Sequence, residues 1–101
     1  MPPADPPRDR EVLRIAQEAL QNAIKHAGAT RIGVRLVAED GLLVLEVEDH
    51  GVGFDPDGHD IRARSLGLTS MQERAERLGG RLAIASAPGR GTTVRLELDD
   101  A

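Results

Sequence analysis

From Asp9 onward the apolar residues recur at intervals of three and four: Leu13, Ala16, Leu20, Ala23, Ile24 and Ala27. That spacing predicts an amphipathic helix with one face against a core. Asp9 is placed to cap it, Glu11 suits its first turn, and Gly28 is a natural left-handed stop. The period then changes to two. Ile32, Val34 and Leu36 alternate with Arg31, Gly33 and Arg35, which predicts a half-buried strand. Glu39-Asp40-Gly41 supplies a hairpin turn, and Leu43, Leu45 and Val47 alternate with Val44, Glu46 and Glu48 in a second strand.

Between Asp49 and Leu66 the periodicity stops, and Gly51, Gly53, Pro56 and Gly58 stand among several acids. A connection of that length in a small domain commonly carries function. Helical spacing returns with Leu68, Met71, Ala75 and Leu78, and Gly79-Gly80 ends it. Leu82 and Ile84 begin a third strand, Ala87-Pro88-Gly89-Arg90-Gly91 forms a glycine-rich connection, and Val94, Leu96 and Leu98 alternate in a fourth. No helix separates the strands of either pair, so each pair reads as a hairpin. The expected architecture is a two-layer α+β sandwich. Pro2, Pro3, Pro6 and Pro7 crowd the first eight residues, which read as a flexible leader, residues 1–8, before a domain spanning 9–101.

Composition narrows the function. A chain of 101 residues supports one modest core and not two. Phe54 is its one aromatic residue, so base stacking has almost nothing to work with, and a net charge of -4 is the wrong sign for a phosphate backbone. Nucleic acid is not an expected partner. With no cysteine there is no disulfide framework, thiolate metal site or thiol nucleophile. No apolar run is long enough to span a membrane and no signal peptide is evident, so a cytoplasmic location is expected.

Four places could carry chemistry. On the first helix Glu18, Asn22, Lys25 and His26 follow one another at helical spacing, which stacks them on one face. A carboxylate, an amide oxygen and a cation so arranged could hold a hydrated Mg²⁺ and its phosphates, or could simply be a solvated face. Asp49-His50-Gly51-Val52-Gly53 follows a strand. Its glycines let backbone approach a ligand, and its aspartate can accept from an exocyclic amine; the same glycines could equally serve turns alone. Gly67-Leu68-Thr69-Ser70-Met71 opens the second helix, either as an anion site or as a plain cap. Gly89-Arg90-Gly91-Thr92 is a hairpin turn or part of a pocket. The histidines His26, His50 and His59 are too scattered for a zinc site, and neither a nucleophile elbow nor a Walker loop is present.

Taken in order, the four motifs resemble the catalytic nucleotide-binding domain of two-component sensor histidine kinases, within the GHKL superfamily shared with gyrase and mismatch-repair ATPases. Arg14 to Ala27 is similar to the N box of the nitrate-sensor-like kinases. Asp49 to Gly53 resembles the first glycine box, Gly67-Leu68 through Met71 and Arg74 the second, and Gly89 to Thr92 the last. The resemblance spans Asp9 to Leu98. It implies a Bergerat-type fold, with helices layered on a mixed β-sheet and ATP held between the helices.

It also implies roles. Asp49 would read the adenine amino group, with Thr92 near the adenine and Gly51 and Gly53 lining the pocket. Asn22 would coordinate Mg²⁺, and Lys25 and His26 would approach the phosphates. Gly67, Leu68 and Met71 would complete the nucleotide site, and Glu18 would order water in support. A carboxylate accepts hydrogen bonds only, which suits an adenine amine and not a guanine carbonyl. Phosphoryl transfer needs positioning and charge neutralisation, which these residues can supply. The acceptor histidine belongs, in such kinases, to a dimerisation domain, and nothing in this chain matches its motif. The chain is therefore expected to bind Mg-ATP as a monomer and to act on that domain, in a homodimeric parent kinase with a response-regulator partner. A stand-alone GHKL ATPase or an anti-sigma-type protein kinase is the alternative.

Overall fold

The computed structural model describes residues 6–25, 31–53 and 68–99. Two helices, α1 (Pro6–Lys25) and α2 (Leu68–Arg77), accompany four strands, β1 (Ile32–Glu39), β2 (Leu42–Asp49), β3 (Arg81–Ser86) and β4 (Thr92–Asp99). The two-layer α+β architecture is as expected. The sheet is not mixed: among the described residues its order is β1-β2-β4-β3 and every neighbouring pair is antiparallel. Two hairpins meet along β2 and β4, which run in opposite directions, so no parallel pair arises.

Local chemistry explains the element ends. Asp40 and Gly41 both have positive φ, 53° and 76°, the geometry of a two-residue type I′ turn, and Glu39 pairs directly with Leu42 across it. Helix α2 ends in a Schellman motif. Gly79 takes φ 68°, its N–H donates to Glu76 O at 3.0 Å, and the Gly80 N–H donates to Ala75 O at 2.9 Å. Helix α1 starts three residues before the expected Asp9, at Pro6, so Pro6, Pro7 and Arg8 are helical. A first helical turn has no use for those proline N–H groups, and their fixed φ already suits a helix.

The core lies between the helices and one face of the sheet. Val12, Ile15 and Ala19 of α1 and Met71 and Ala75 of α2 pack with Leu45, Val47, Val94, Leu96 and Leu98. This corrects the expected helix face, because Leu13 and Ile24 are 57% and 66% exposed while Ala16 and Leu20 are only partly covered. Two apolar rows run side by side along α1, Val12-Ile15-Ala19-Ala23 and Leu13-Ala16-Leu20-Ile24, each at intervals of three, four and four. The first row faces the core, and of the expected stripe Ala23 alone among the described residues is fully covered, Ala27 lying outside them. Strand β1 departs in the same sense. It is the edge strand, α1 packs on β2 and α2 on β3, and Val34 and Leu36 are left 54% and 58% exposed. The opposite face of the sheet carries Val37 and Val44 beside a set of ion pairs. Arg95 lies 2.9 Å from Glu46 across the β2–β4 pair and 3.6 Å from Glu97, and Arg81 lies 3.8 Å from Glu97. Exposed pairs of this kind contribute a few tenths of a kcal/mol each, and mainly keep that face in water.

The loops at one end of the sheet pack backbone to backbone. A Cβ at Gly53 would stand 2.1 Å from Ala87 O, and one at Gly91 would stand 2.2 Å from Asp49 O. Both glycines also have positive φ, 66° and 75°, and the Gly89 N–H donates to Val52 O. Gly53 of the first box and Gly91 of the last are thus required for the two loops to meet.

Two substitutions test this packing. Ile15→Ala, at a fully buried position, should lower stability by about 3 kcal/mol, read as a lower urea midpoint at an unchanged m-value. Gly91→Ala should cost about 2 kcal/mol or more through strain and collision. Gly33→Ala, where a Cβ meets nothing within 4 Å, should leave the midpoint within about 0.5 kcal/mol of wild type; equal losses at Gly33 and Gly91 would contradict the loop contact.

Candidate functional site

The strand alternation carries the apolar core to one end of the sheet and there changes character. On the helix-facing side Leu45 pairs with Leu96 and Leu96 with Leu82; the next row is Val47, Val94 and Ile84. Two residues further along each strand the row becomes Asp49, Thr92 and Ser86. Three polar side chains therefore sit on three adjacent strands at the rim of the core. The same period that buries leucine and valine brings these groups together.

Asp49 is 7% exposed, the one buried charged residue among the described residues. Its Oδ1 accepts from the Gly51 N–H at 2.8 Å, an arrangement that turns the chain sharply after β2 and fixes the carboxylate. Its partner in register is Thr92. Thr92 Oγ1 lies 2.9 Å from Ser86 Oγ, and Ser86 Oγ donates to Gly91 O at 2.9 Å. Sequence reasoning singled out Asp49, Gly51, Gly53 and Thr92 but missed Ser86. The signal was available: continuing the inward phase of Leu82 and Ile84 by two residues lands on Ser86.

Helix α1 supplies the second half of the site. Glu11, Glu18 and Asn22 share the flank of α1 that borders its buried row, each half-covered. Ser70 Oγ of α2 donates to Glu18 Oε1 at 3.2 Å. Closer to the start of α1, Arg74 Nη1 donates to Glu11 Oε1 at 3.3 Å and Arg77 lies 3.6 Å from Glu11. The polar flank of α1 is thus tied to α2 at both ends, through Ser70 in its first turn and through Arg74 and Arg77 in its last. Arg74, read in the sequence as part of the second glycine box, serves here as a clasp between the helices. Met71, an expected nucleotide contact, is fully buried in the core, and Leu68, the first residue of α2, packs against it. Lys25 is the last residue of α1. His26 and Gly67 lie outside the described residues.

Oxygen donors stand on the flank where Mg²⁺ was expected, the Asn22 amide and the Glu18 carboxylate, spaced one helical turn apart. Among the described residues no group of three or more His, Cys, Asp or Glu side chains could hold a metal. These donors suit an ion that keeps its waters and takes its remaining ligands from a phosphate chain, and not a cage built of protein alone.

Residues 8–101 match the family described as histidine kinase-, DNA gyrase B-, and HSP90-like ATPase. The chain is 40% identical over 88 residues to the sensor histidine kinase ComP of Bacillus subtilis, covering 87% of this chain and 11% of ComP. It is 44% identical over 87 residues to the oxygen sensor histidine kinase NreB of Staphylococcus carnosus, covering 86% of this chain and 25% of NreB. Among solved structures, the ATP binding domain of PrrB from Mycobacterium tuberculosis superimposes with a TM-score of 0.75 at 25% identity, covering 91% of this chain and 68% of that one. The chain thus spans between a tenth and a quarter of the length of these sensor kinases. With the motifs in order, the sheet and helices in the same arrangement and a match over nearly the whole sequence, the chain belongs to the histidine kinase-, DNA gyrase B- and HSP90-like ATPase family.

Proposed function

We propose that this chain is the catalytic domain of a sensor histidine kinase: it binds Mg-ATP and presents the γ-phosphoryl group to a histidine on a separate dimerisation domain. The observation that carries the reading is the buried Asp49 carboxylate held in register with Thr92 at the rim of the core. A carboxylate in that position accepts from a base amino group, and the Gly51 N–H holds one of its oxygens in place. Gly51 and Gly53 form the turn beneath the base.

The phosphates would lie toward α1 and the start of α2. Asn22 would hold Mg²⁺, which when bound neutralises the phosphate charge and orients the chain of phosphates. Lys25 would add positive charge there, His26 would approach the phosphates beside it, and the Gly67-Leu68 amides at the start of α2 would meet the phosphate oxygens. Glu18 would order water beside the ion, and its hydrogen bond from Ser70 supports a positioning role for that carboxylate. Met71 supports the site as packing. Transfer then requires the acceptor histidine to be delivered in line, so the dimerisation domain is the immediate partner and a response regulator the next. The likeness to ComP and NreB supports both, and a cytoplasmic placement follows from the use of ATP. No helix among the described residues is long and apolar enough to cross a membrane.

Two measurements test the reading. Saturating Mg-ADP, at about 100 times its Kd, should stabilise the chain by about 2.7 kcal/mol and raise its melting temperature, and Asp49→Ala should abolish the rise. Asn22→Ala should keep a small shift with ADP that no longer responds to Mg²⁺. Equal stabilisation of wild type and Asp49→Ala would overturn the base assignment. With labelled ATP, the chain should phosphorylate a histidine-bearing dimerisation domain supplied in trans and leave itself unlabelled; steady release of phosphate without that domain, lost in Glu18→Ala, would favour an ATPase instead.

A further inference from the structure

The hydrogen-bond geometry behind Thr92 decides what kind of base edge the site accepts. Ser86 Oγ is 2.9 Å from Gly91 O and 2.9 Å from Thr92 Oγ1. A carbonyl oxygen only accepts, and a serine hydroxyl carries a single proton, so the Ser86 proton goes to Gly91 O. The proton between the two hydroxyls must then come from Thr92. With its proton spent on Ser86, Thr92 Oγ1 faces any further partner with lone pairs alone.

Asp49, the register partner of Thr92, is also an acceptor, and its Oδ1 already holds the Gly51 N–H. Both members of the cross-strand pair therefore present acceptors. We infer that Ser86 is a positioning residue for base selection: by taking the Thr92 proton it keeps Thr92 an acceptor beside Asp49, so that the pair receives a base edge bearing an amino group and repels one bearing a carbonyl oxygen. This rests on the nucleotide reading above and adds to it a residue that does not itself touch the base. Freed from Ser86, the Thr92 hydroxyl could turn and donate, and a carbonyl at position six of the purine would become acceptable.

The test compares Mg-ADP with Mg-IDP, which differ at the purine edge: ADP bears an amino group at position six and an acceptor at N1, IDP a carbonyl oxygen at position six and an N–H at N1. Binding is measured calorimetrically on the full chain, and the readout is the ratio of the two affinities. Wild type should prefer ADP, and Ser86→Ala should reduce that preference about tenfold, mainly by strengthening IDP. Ser86→Thr, which keeps the hydroxyl, should restore it. In a Thr92→Val background, Ser86→Ala should change the ratio no further, because the two act through one hydroxyl. Weakening of both nucleotides by the same factor in Ser86→Ala would mark Ser86 as merely structural, and an unchanged ratio would equally overturn the inference. Failure is separable from failure of the underlying reading: wild type that prefers ADP over IDP, with the preference unchanged in Ser86→Ala, overturns the Ser86 role alone, whereas wild type that binds no ADP overturns both.

Discussion

The antiparallel pairing of β2 with β4 is the constraint on which the rest of this structure depends. It joins two hairpins that are otherwise far apart in the chain, and it sets Leu43 against Leu98, Leu45 against Leu96, Val47 against Val94 and Asp49 against Thr92. One register therefore builds the core and the site together. A slip of one residue would turn every one of these side chains to the other face, expose the leucines and valines, and bury Glu46 and Glu48. The core thus protects the polar row thermodynamically: Asp49 and Thr92 cannot lose their alignment without the apolar rows losing theirs.

Holding a carboxylate at the rim of an apolar core requires that its surroundings be fixed, and here backbone does that work. Gly91 lies against Asp49 O and Gly53 against Ala87 O, so the turns that follow β2 and precede β4 interlock without side chains between them. Asp49 itself closes its turn through the Gly51 N–H. Preorganisation of this kind places an acceptor before any ligand arrives, which is what recognition of a single base edge demands.

The helices face a different demand. Helix α1 must cover the sheet and also present polar groups toward α2, and it divides these tasks between neighbouring strips of its surface. Val12, Ile15 and Ala19 meet the core, and small residues at Ala19 and Ala23 allow close approach. Beside them Glu11 and Glu18 reach Arg74 and Ser70. The larger apolar residues Leu13 and Ile24 fall on the far strip, on the exposed surface, as do Val34 and Leu36 on the edge strand. Orientation toward α2 and toward the sheet together outweighs the burial of two large side chains.

Element type and order were legible in the sequence because both are set by local periodicity and turn chemistry: three-four spacing on α1 and α2, alternation on the strands, and positive-φ residues at Asp40-Gly41 and Gly79. Asp49, the glycines and Thr92 were legible as candidate site residues for the same reason, since each stands at a fixed offset from a recognisable element. What the sequence could not decide was the choice between equivalent local patterns. Two apolar rows with identical spacing run along α1, and the contacts with α2 and β2 select one of them. The alternation of β1 matches that of a covered strand, and its place at the sheet edge leaves it exposed. Ser86 gains its meaning from Thr92 and Gly91, which lie across a hairpin and in another strand. Local patterns state which faces can be buried or can bond. Which faces do so depends on pairings between distant segments, and only the assembled sheet and helices supply those.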